Sequence, residues 1–207
     1  VGALVSWQEI PGWFDFGPIY DEAVRTAPPS ATLVEVGTAC GRSAAYLARR
    51  AIDAGRSDLR LVVIDPWWSC KPWKPDPAPV DDCDEMGFKG RHRALWHEFG
   101  DTFGAFCGLM LRHVREEFDR LTVLRLTSLE AVRIFDDASC WMVFIDADHR
   151  YEGIGRDIPA WRPKVRPGGI FAGHDHWPVE YPGVVRACRE AFGEGGYYVQ
   201  GTSWRMR

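Results

Sequence analysis

The stretch 32-TLVEVGTACGRSAAYLARRAIDAG-55 divides into three physical pieces. Residues 32–37 are a short β-rich run, and Gly37 and Gly41 bracket a tight turn. Residues 41–55 carry a helical pattern that closes on a glycine. A buried strand feeding a helix through a glycine turn is the unit of a parallel α/β sheet. The same unit recurs outward from it. Apolar runs at 60-RLVVID-65, 121-LTVLRL-126, 141-WMVFID-146 and 169-GIFAG-173 alternate with helical patterns over 102–117, 128–135, 152–165 and 183–193. A helix over 15–28 precedes the first strand and ends at Pro28-Pro29, a Pro167-Gly168-Gly169 turn leads into the fifth, and two short strands near 196–200 and 202–206 follow. The expectation is an α/β fold: one doubly wound, mainly parallel seven-stranded sheet within a single domain, 1–207. The proline- and tryptophan-rich segment 66–100, with its acid cluster 81-DDCDE-85, breaks the rhythm and reads as a lid or substrate-recognition insertion.

Bulk properties narrow the function classes. A chain of 207 residues suits one full-sized domain, and 46% hydrophobic with 26% charged residues is ordinary globular composition. A net charge of -4 gives no electrostatic footprint for nucleic acid, and 91-RHR-93 and 204-WRMR-207 read as solvated surface. No apolar run has the length of a membrane span, and the first residues, beginning at Val1, do not read as a signal peptide. The six cysteines, at 40, 70, 83, 107, 140 and 188, show no CxxC spacing. Reduced thiols in a cytoplasmic protein are the expectation, with a Cys70–Cys83 pair left open. A small-molecule substrate, no nucleic acid and no membrane are the expected partner classes; a homo-oligomer stays open. Among ten tryptophans, Trp67, Trp68, Trp73, Trp96 and Trp177 fall in loop-like surroundings, where a large rigid ring suits a ligand site.

In parallel sheets ligands bind beyond the carboxyl ends of the strands. The first strand ends in 35-EVGTACG-41, which has Glu35 where a dinucleotide fingerprint has glycine. An acid there repels a pyrophosphate but suits a zwitterionic amino-acid tail, met directly or through water. The second strand ends in Asp65, placed to accept from two ribose hydroxyls or to hold a turn. Ser128, after the third, caps the next helix or touches an adenine edge. The fourth ends in Asp146, with Asp148 and His149 close behind, and the fifth in 174-HDH-176. Neighbouring strands lie about 4.8 Å apart, so Asp146, Asp175 and His174 can converge on one cation, Mg²⁺ or Mn²⁺ by their hard oxygens.

ExGxxxGxS, 64-IDPW-67, 145-IDADHRYEGIGRDIPAW-161 and 167-PGGIFAGHD-175 together resemble class I S-adenosylmethionine-dependent methyltransferases. Within these the chain is similar to the metal-dependent small-molecule O-methyltransferases of the macrolide-sugar type, over roughly residues 30–200. The resemblance implies the Rossmann-like methyltransferase fold, S-adenosylmethionine at Glu35, Gly37, Gly41 and Asp65, and metal carboxylates at Asp146 and Asp175. It implies His149 as general base; a neutral metal ligand or a packed histidine are the competing roles. His174 stands where the family usually has an acid. Asp148 is not assigned to the chemistry, and Tyr151 and Trp161 are expected to pack. The implied function is methyl transfer to a hydroxyl of a small molecule, a sugar or vicinal diol, assisted by a divalent metal, Mg²⁺ or Mn²⁺. A nicotinamide-dependent oxidoreductase, a metal-independent methyltransferase and a non-catalytic binding module are the alternatives.

Overall fold

The computed structural model describes residues 6–67, 98–99 and 101–207. Most of the 66–100 insertion therefore lies outside the described residues, as do Cys70, Cys83, Trp68, Trp73 and Trp96. Seven strands form one mixed sheet: β1 (Thr32–Val36), β2 (Arg60–Ile64), β3 (Leu121–Leu124), β4 (Cys140–Ile145), β5 (Val165–Gly173), β6 (Tyr197–Gln200) and β7 (Ser203–Met206). Their order is β3-β2-β1-β4-β5-β7-β6. The first five are parallel, and β7 runs antiparallel to both β5 and β6. This is the doubly wound, mainly parallel architecture expected.

Alternation along β1 explains both cores. Leu33 joins Phe16, Tyr20, Leu47 and Phe144 under α1 (Gly17–Thr26) and α2 (Arg42–Asp53). Val34 and Val36 face the other way, onto Ile154, Ile158 and Trp161 of a later helix, Tyr151–Trp161, and onto Val184 of the helix Pro182–Phe192. Burial on both faces is why these strands are mostly apolar.

Three boundaries differ from expectation for local reasons. The helical pattern over 102–117 splits at Val114 into Thr102–His113 and Arg115–Phe118. The pattern over 128–135 forms one α-turn, Ser128–Ala131, then a 3-10 turn. The Pro167-Gly168-Gly169 stretch lies inside β5, where Gly168 at φ +80° accommodates a register shift against β4. Among the described residues no helix is long and apolar enough to cross a membrane.

Candidate active site

The residues that end the strands are held by the sheet itself. Gly37 donates its backbone N–H to Ile64 O (2.7 Å), Asp65 to Leu124 O (3.2 Å), Asp146 to Val36 O (2.7 Å) and His174 to Ile145 O (3.0 Å). Each therefore sits one ladder step beyond its strand, along one rim. A cavity of about 850 Å³ opens there, lined among others by Gly37, Thr38, Asp65, Ser128, Asp146, His149, His174 and Asp175. That volume suits a cofactor and a small substrate.

Gly37 has φ +88°, and a Cβ on it would lie 2.0 Å from Asp146 O. Only glycine lets the turn pass this close. Gly41 (φ +93°) does not line the cavity. A Cβ there would meet Phe106 and Met110 at 2.8 Å, so its role is to start α2 against the core rather than to touch a ligand.

Glu35 is also off the cavity wall, which corrects the expectation of a direct ligand contact. Strand alternation turns it to the Leu33 side, where it is 1% exposed. It accepts from Tyr20 OH (2.9 Å) and Ser43 Oγ (2.7 Å). Burial raises its pKa to about 7 against those hydrogen bonds, which favour the charged form. Asp65 lines the cavity and braces the glycine turn. Its Oδ2 accepts from Thr38 N (3.1 Å) and Ala39 N (3.0 Å), and its Oδ1 from Trp67 N (2.7 Å). About one of the carboxylate's four or so acceptor positions is left for a ligand hydroxyl.

Ser128 does not cap its helix. Thr127 does, in a capping box with Glu130. Ser128 Oγ instead donates to Asp157 Oδ1 (2.6 Å) and accepts from Trp161 Nε1 (2.8 Å). Trp67 is not a ligand wall either: it is 3% exposed, packs on Phe103 and Phe106, and donates Nε1–H to Ala39 O. Trp177 does line the cavity, as does Trp13, and both are exposed.

At the β4–β5 end, His149 Nε2 lies 2.8 Å from Asp175 Oδ2 and 3.7 Å from Asp146 Oδ1. Burial would lower the His149 pKa, but hydrogen bonds and charge from Asp146 and Asp175 outweigh it and raise it to about 10. Asp175, which burial would raise, is held below its ordinary value by the two histidines. It adopts φ +60°, an uncommon backbone state for a non-glycine residue, and lines the cavity. Asp146, His149 and Asp175 each offer a ligand atom within 4.8 Å of the others. Two hard carboxylate oxygens and an imidazole suit a divalent ion between Mg²⁺ and the transition metals.

His174 is not one of those three. Its Nε2 is clamped by Asp15 Oδ1 (3.0 Å) and Thr202 Oγ1 (2.8 Å), and Nδ1 faces Asp175 Oδ1 (3.1 Å). Nδ1 also lies 3.5 Å from Asp146 Oδ1, so the ring faces both carboxylates. Asp148 pairs with Arg150 through the backbone N–H and the guanidinium, ordering the turn into the helix. Trp161 is fully buried, and Tyr151 packs at the core's edge and donates to Glu190.

Several residues of this site were missed. Asp157 had a signal: it shares the 154/158/161 apolar stripe of its helix, and an acid on a buried stripe needs a partner. Asp15 and Thr202 had none, since they reach His174 from opposite ends of the chain.

A family model described as "Methyltransferase domain" matches residues 34–176. The uncharacterized protein y4gI of Sinorhizobium fredii is 26% identical over 166 residues, covering 79% of this chain; the chain spans 15% of that relative's length. The O-methyltransferase NovP superposes with a TM-score of 0.58 at 16% identity, over 91% of this chain and 75% of its own. CalS11, a TDP-rhamnose 3'-O-methyltransferase of calicheamicin biosynthesis, gives 0.54 at 18%, over 92% and 75%. At these identities the two structures speak for the fold alone.

Proposed function

Because this chain belongs to the methyltransferase-domain family, and with it to the class I S-adenosylmethionine-dependent enzymes, we propose that it methylates a hydroxyl oxygen of a small molecule, a sugar or vicinal diol. The nicotinamide alternative falls with that membership. The observation that carries the proposal is the juxtaposition of His149 with Asp175 (2.8 Å) on the cavity wall, beside the Gly37 turn. A neutral hydroxyl is a poor nucleophile, and an imidazole fixed by a carboxylate is suited to take its proton.

S-adenosylmethionine, when bound, supplies an electrophilic methyl carbon on sulfur. Gly37 and Asp65 would hold it, the one by letting the backbone approach, the other through its remaining acceptor position. Asp146 and Asp175 would hold a divalent ion, which supplies Lewis acidity at the acceptor oxygen. His149 accepts a proton only when neutral. Its base role therefore requires the charge of Asp146 and Asp175 to be balanced from elsewhere than its own ring. His174, tied to Asp15 and Thr202, keeps Asp175 in place. Trp13 and Trp177 offer flat apolar faces to a ring-shaped acceptor. A sugar acceptor is also what the name of CalS11 states for that protein. Reduced cytoplasmic surroundings and the absence of nucleic-acid or membrane partners complete the reading.

Isothermal titration with S-adenosylhomocysteine, followed by labelled methyl transfer to a panel of sugars, nucleotide sugars and diols, tests it. Binding and label on oxygen are expected. Absence of S-adenosylhomocysteine binding by the folded protein overturns the reading.

A further inference from the structure

We propose that Asp15 is a positioning residue for the reacting end: with Thr202 it fixes a proton on His174 Nε2, keeps Nδ1 on the carboxylates, and so sets which Asp175 oxygen His149 meets. That this end serves methyl transfer rests on the function proposed above; the placement of the proton does not.

Asp15 and Thr202 both lie outside residues 34–176, the span that the family model matches, so this contact is made by the chain's own two ends. Asp15 precedes α1, and Thr202 sits in the turn between β6 and β7. They meet on a ring whose side chain is 6% exposed.

Hydrogen-bond capacity places the proton. An ionised carboxylate only accepts. Thr202 Oγ1 donates its one proton to Asp15 Oδ2 (2.8 Å), so it turns lone pairs to Nε2, also at 2.8 Å. Asp15 Oδ1, 3.0 Å from the same nitrogen, offers only lone pairs as well. Two acceptors on one ring nitrogen require that it carry hydrogen; a bare Nε2 would set buried lone pairs against each other. The neutral ring and the imidazolium both meet this condition, so the argument does not turn on the charge of His174.

The consequence runs along a chain of contacts. With Nε2 held, the ring cannot turn over, and Nδ1 stays 3.1 Å from Asp175 Oδ1 and 3.5 Å from Asp146 Oδ1. Asp175 Oδ1 is thereby engaged, and Oδ2 is left to His149 Nε2 at 2.8 Å. Asp15 itself does not line the cavity, so it reaches the reacting end only through His174. A partner that fixes the tautomer and orientation of an imidazole works in this way without touching the reacting atoms.

A merely structural role, fastening the segment before α1 to the body, is separable. The experiment is nitrogen-15 NMR of the histidine rings in wild type, Asp15→Ala and Thr202→Val, with melting curves of all three. The His149 and His174 signals are assigned by their loss in His149→Gln and His174→Gln. In wild type His174 Nε2 is expected to resonate as a protonated nitrogen with a slowly exchanging N–H. Asp15→Ala should lose that slow N–H and shift the His149 ring signals. Thr202→Val keeps the Asp15 acceptor and should keep both. If Asp15→Ala does not fold, Asp15→Leu, which fills the space without accepting, is read the same way. A bare Nε2 in wild type, or His149 signals unmoved in a folded Asp15 variant, overturns the inference. S-adenosylhomocysteine is titrated into the wild type in parallel; no binding overturns the methyltransferase reading and leaves the proton placement standing.

Discussion

The two ends of the cavity use the same chemical group in opposite ways. At the β1–β3 end the carboxylates of Asp65 and Asp157, and of Glu35 behind the cavity wall, meet neutral donors: hydroxyls of Tyr20, Ser43 and Ser128, and backbone N–H groups. Burial dominates there, and all three pKa values are raised. At the β4–β5 end Asp175 meets two imidazoles, and its pKa is lowered while theirs rise. A carboxylate among fixed neutral dipoles is a shape-and-polarity gauge. One among titratable rings can trade charge and protons. In the proposed reading the first end would hold the cofactor and the second would react with the acceptor.

The largest expected effect breaks the comparison if it fails. His149→Ala should reduce kcat by roughly 10²–10⁴ with cofactor affinity nearly unchanged. A loss of cofactor affinity instead would mean the two ends are not functionally separate. Wild-type kcat in the variant would remove the base role altogether.

Chelation sharpens the same contrast. EDTA should lower turnover severalfold or more, and Mg²⁺ or Mn²⁺ should restore it. Asp146→Ala and Asp175→Ala should each abolish that rescue. Full turnover by protein shown metal-free by elemental analysis would leave the two acids as partners of the histidines alone.

At the other end, Glu35→Gln addresses stability rather than rate. The Glu35 folded-state pKa of about 7 lies above its ordinary 4.5, so folding favours the protonated form. The associated stability is full below pH 4.5 and is lost as pH rises through 7. A neutral amide removes that slope. At pH 8 the variant should gain on the wild type by an amount on the order of 3 kcal/mol relative to their difference at pH 4, read from denaturant melts at both. Parallel wild-type and variant stability curves across this range would show that Glu35 carries no such strain.

Asp65→Ala should weaken S-adenosylhomocysteine binding about tenfold. It should also lower the melting temperature, because Thr38, Ala39 and Trp67 lose their common acceptor. Lost affinity with unchanged melting would make Asp65 a ligand residue only, and the reverse a brace only.

How far each residue could be read from the chain follows from the range of the force that places it. Gly37 was legible because a tight turn at positive φ favours glycine locally; its close approach to Asp146 O is a tertiary contact. The strand ends at Asp65, Asp146 and His174 were legible because hydrophobic runs mark where a parallel strand stops. Glu35 was placed on the correct strand and assigned the wrong surroundings. Period-two alternation separates it from Val34 and Val36, but which face holds the cofactor is a property of the assembled sheet. Of the two roles open to Ser128, the cap falls to Thr127, one residue earlier, in its capping box with Glu130; the partners of Ser128 appear only when the helix carrying Asp157 and Trp161 packs beside it.

The sequence by itself determined the order of strands and helices, the sheet class and the rim on which the chemistry sits. Those follow from periodicity, turn residues and the rule that parallel strands are covered on both faces. Only the tertiary structure decided which atoms share a hydrogen bond. It brought His149 together with Asp146 and Asp175, and it brought Asp15 and Thr202, 187 residues apart, onto one nitrogen of His174. Side-chain partners at that separation are set by how layers pack, and no local pattern in the chain encodes them.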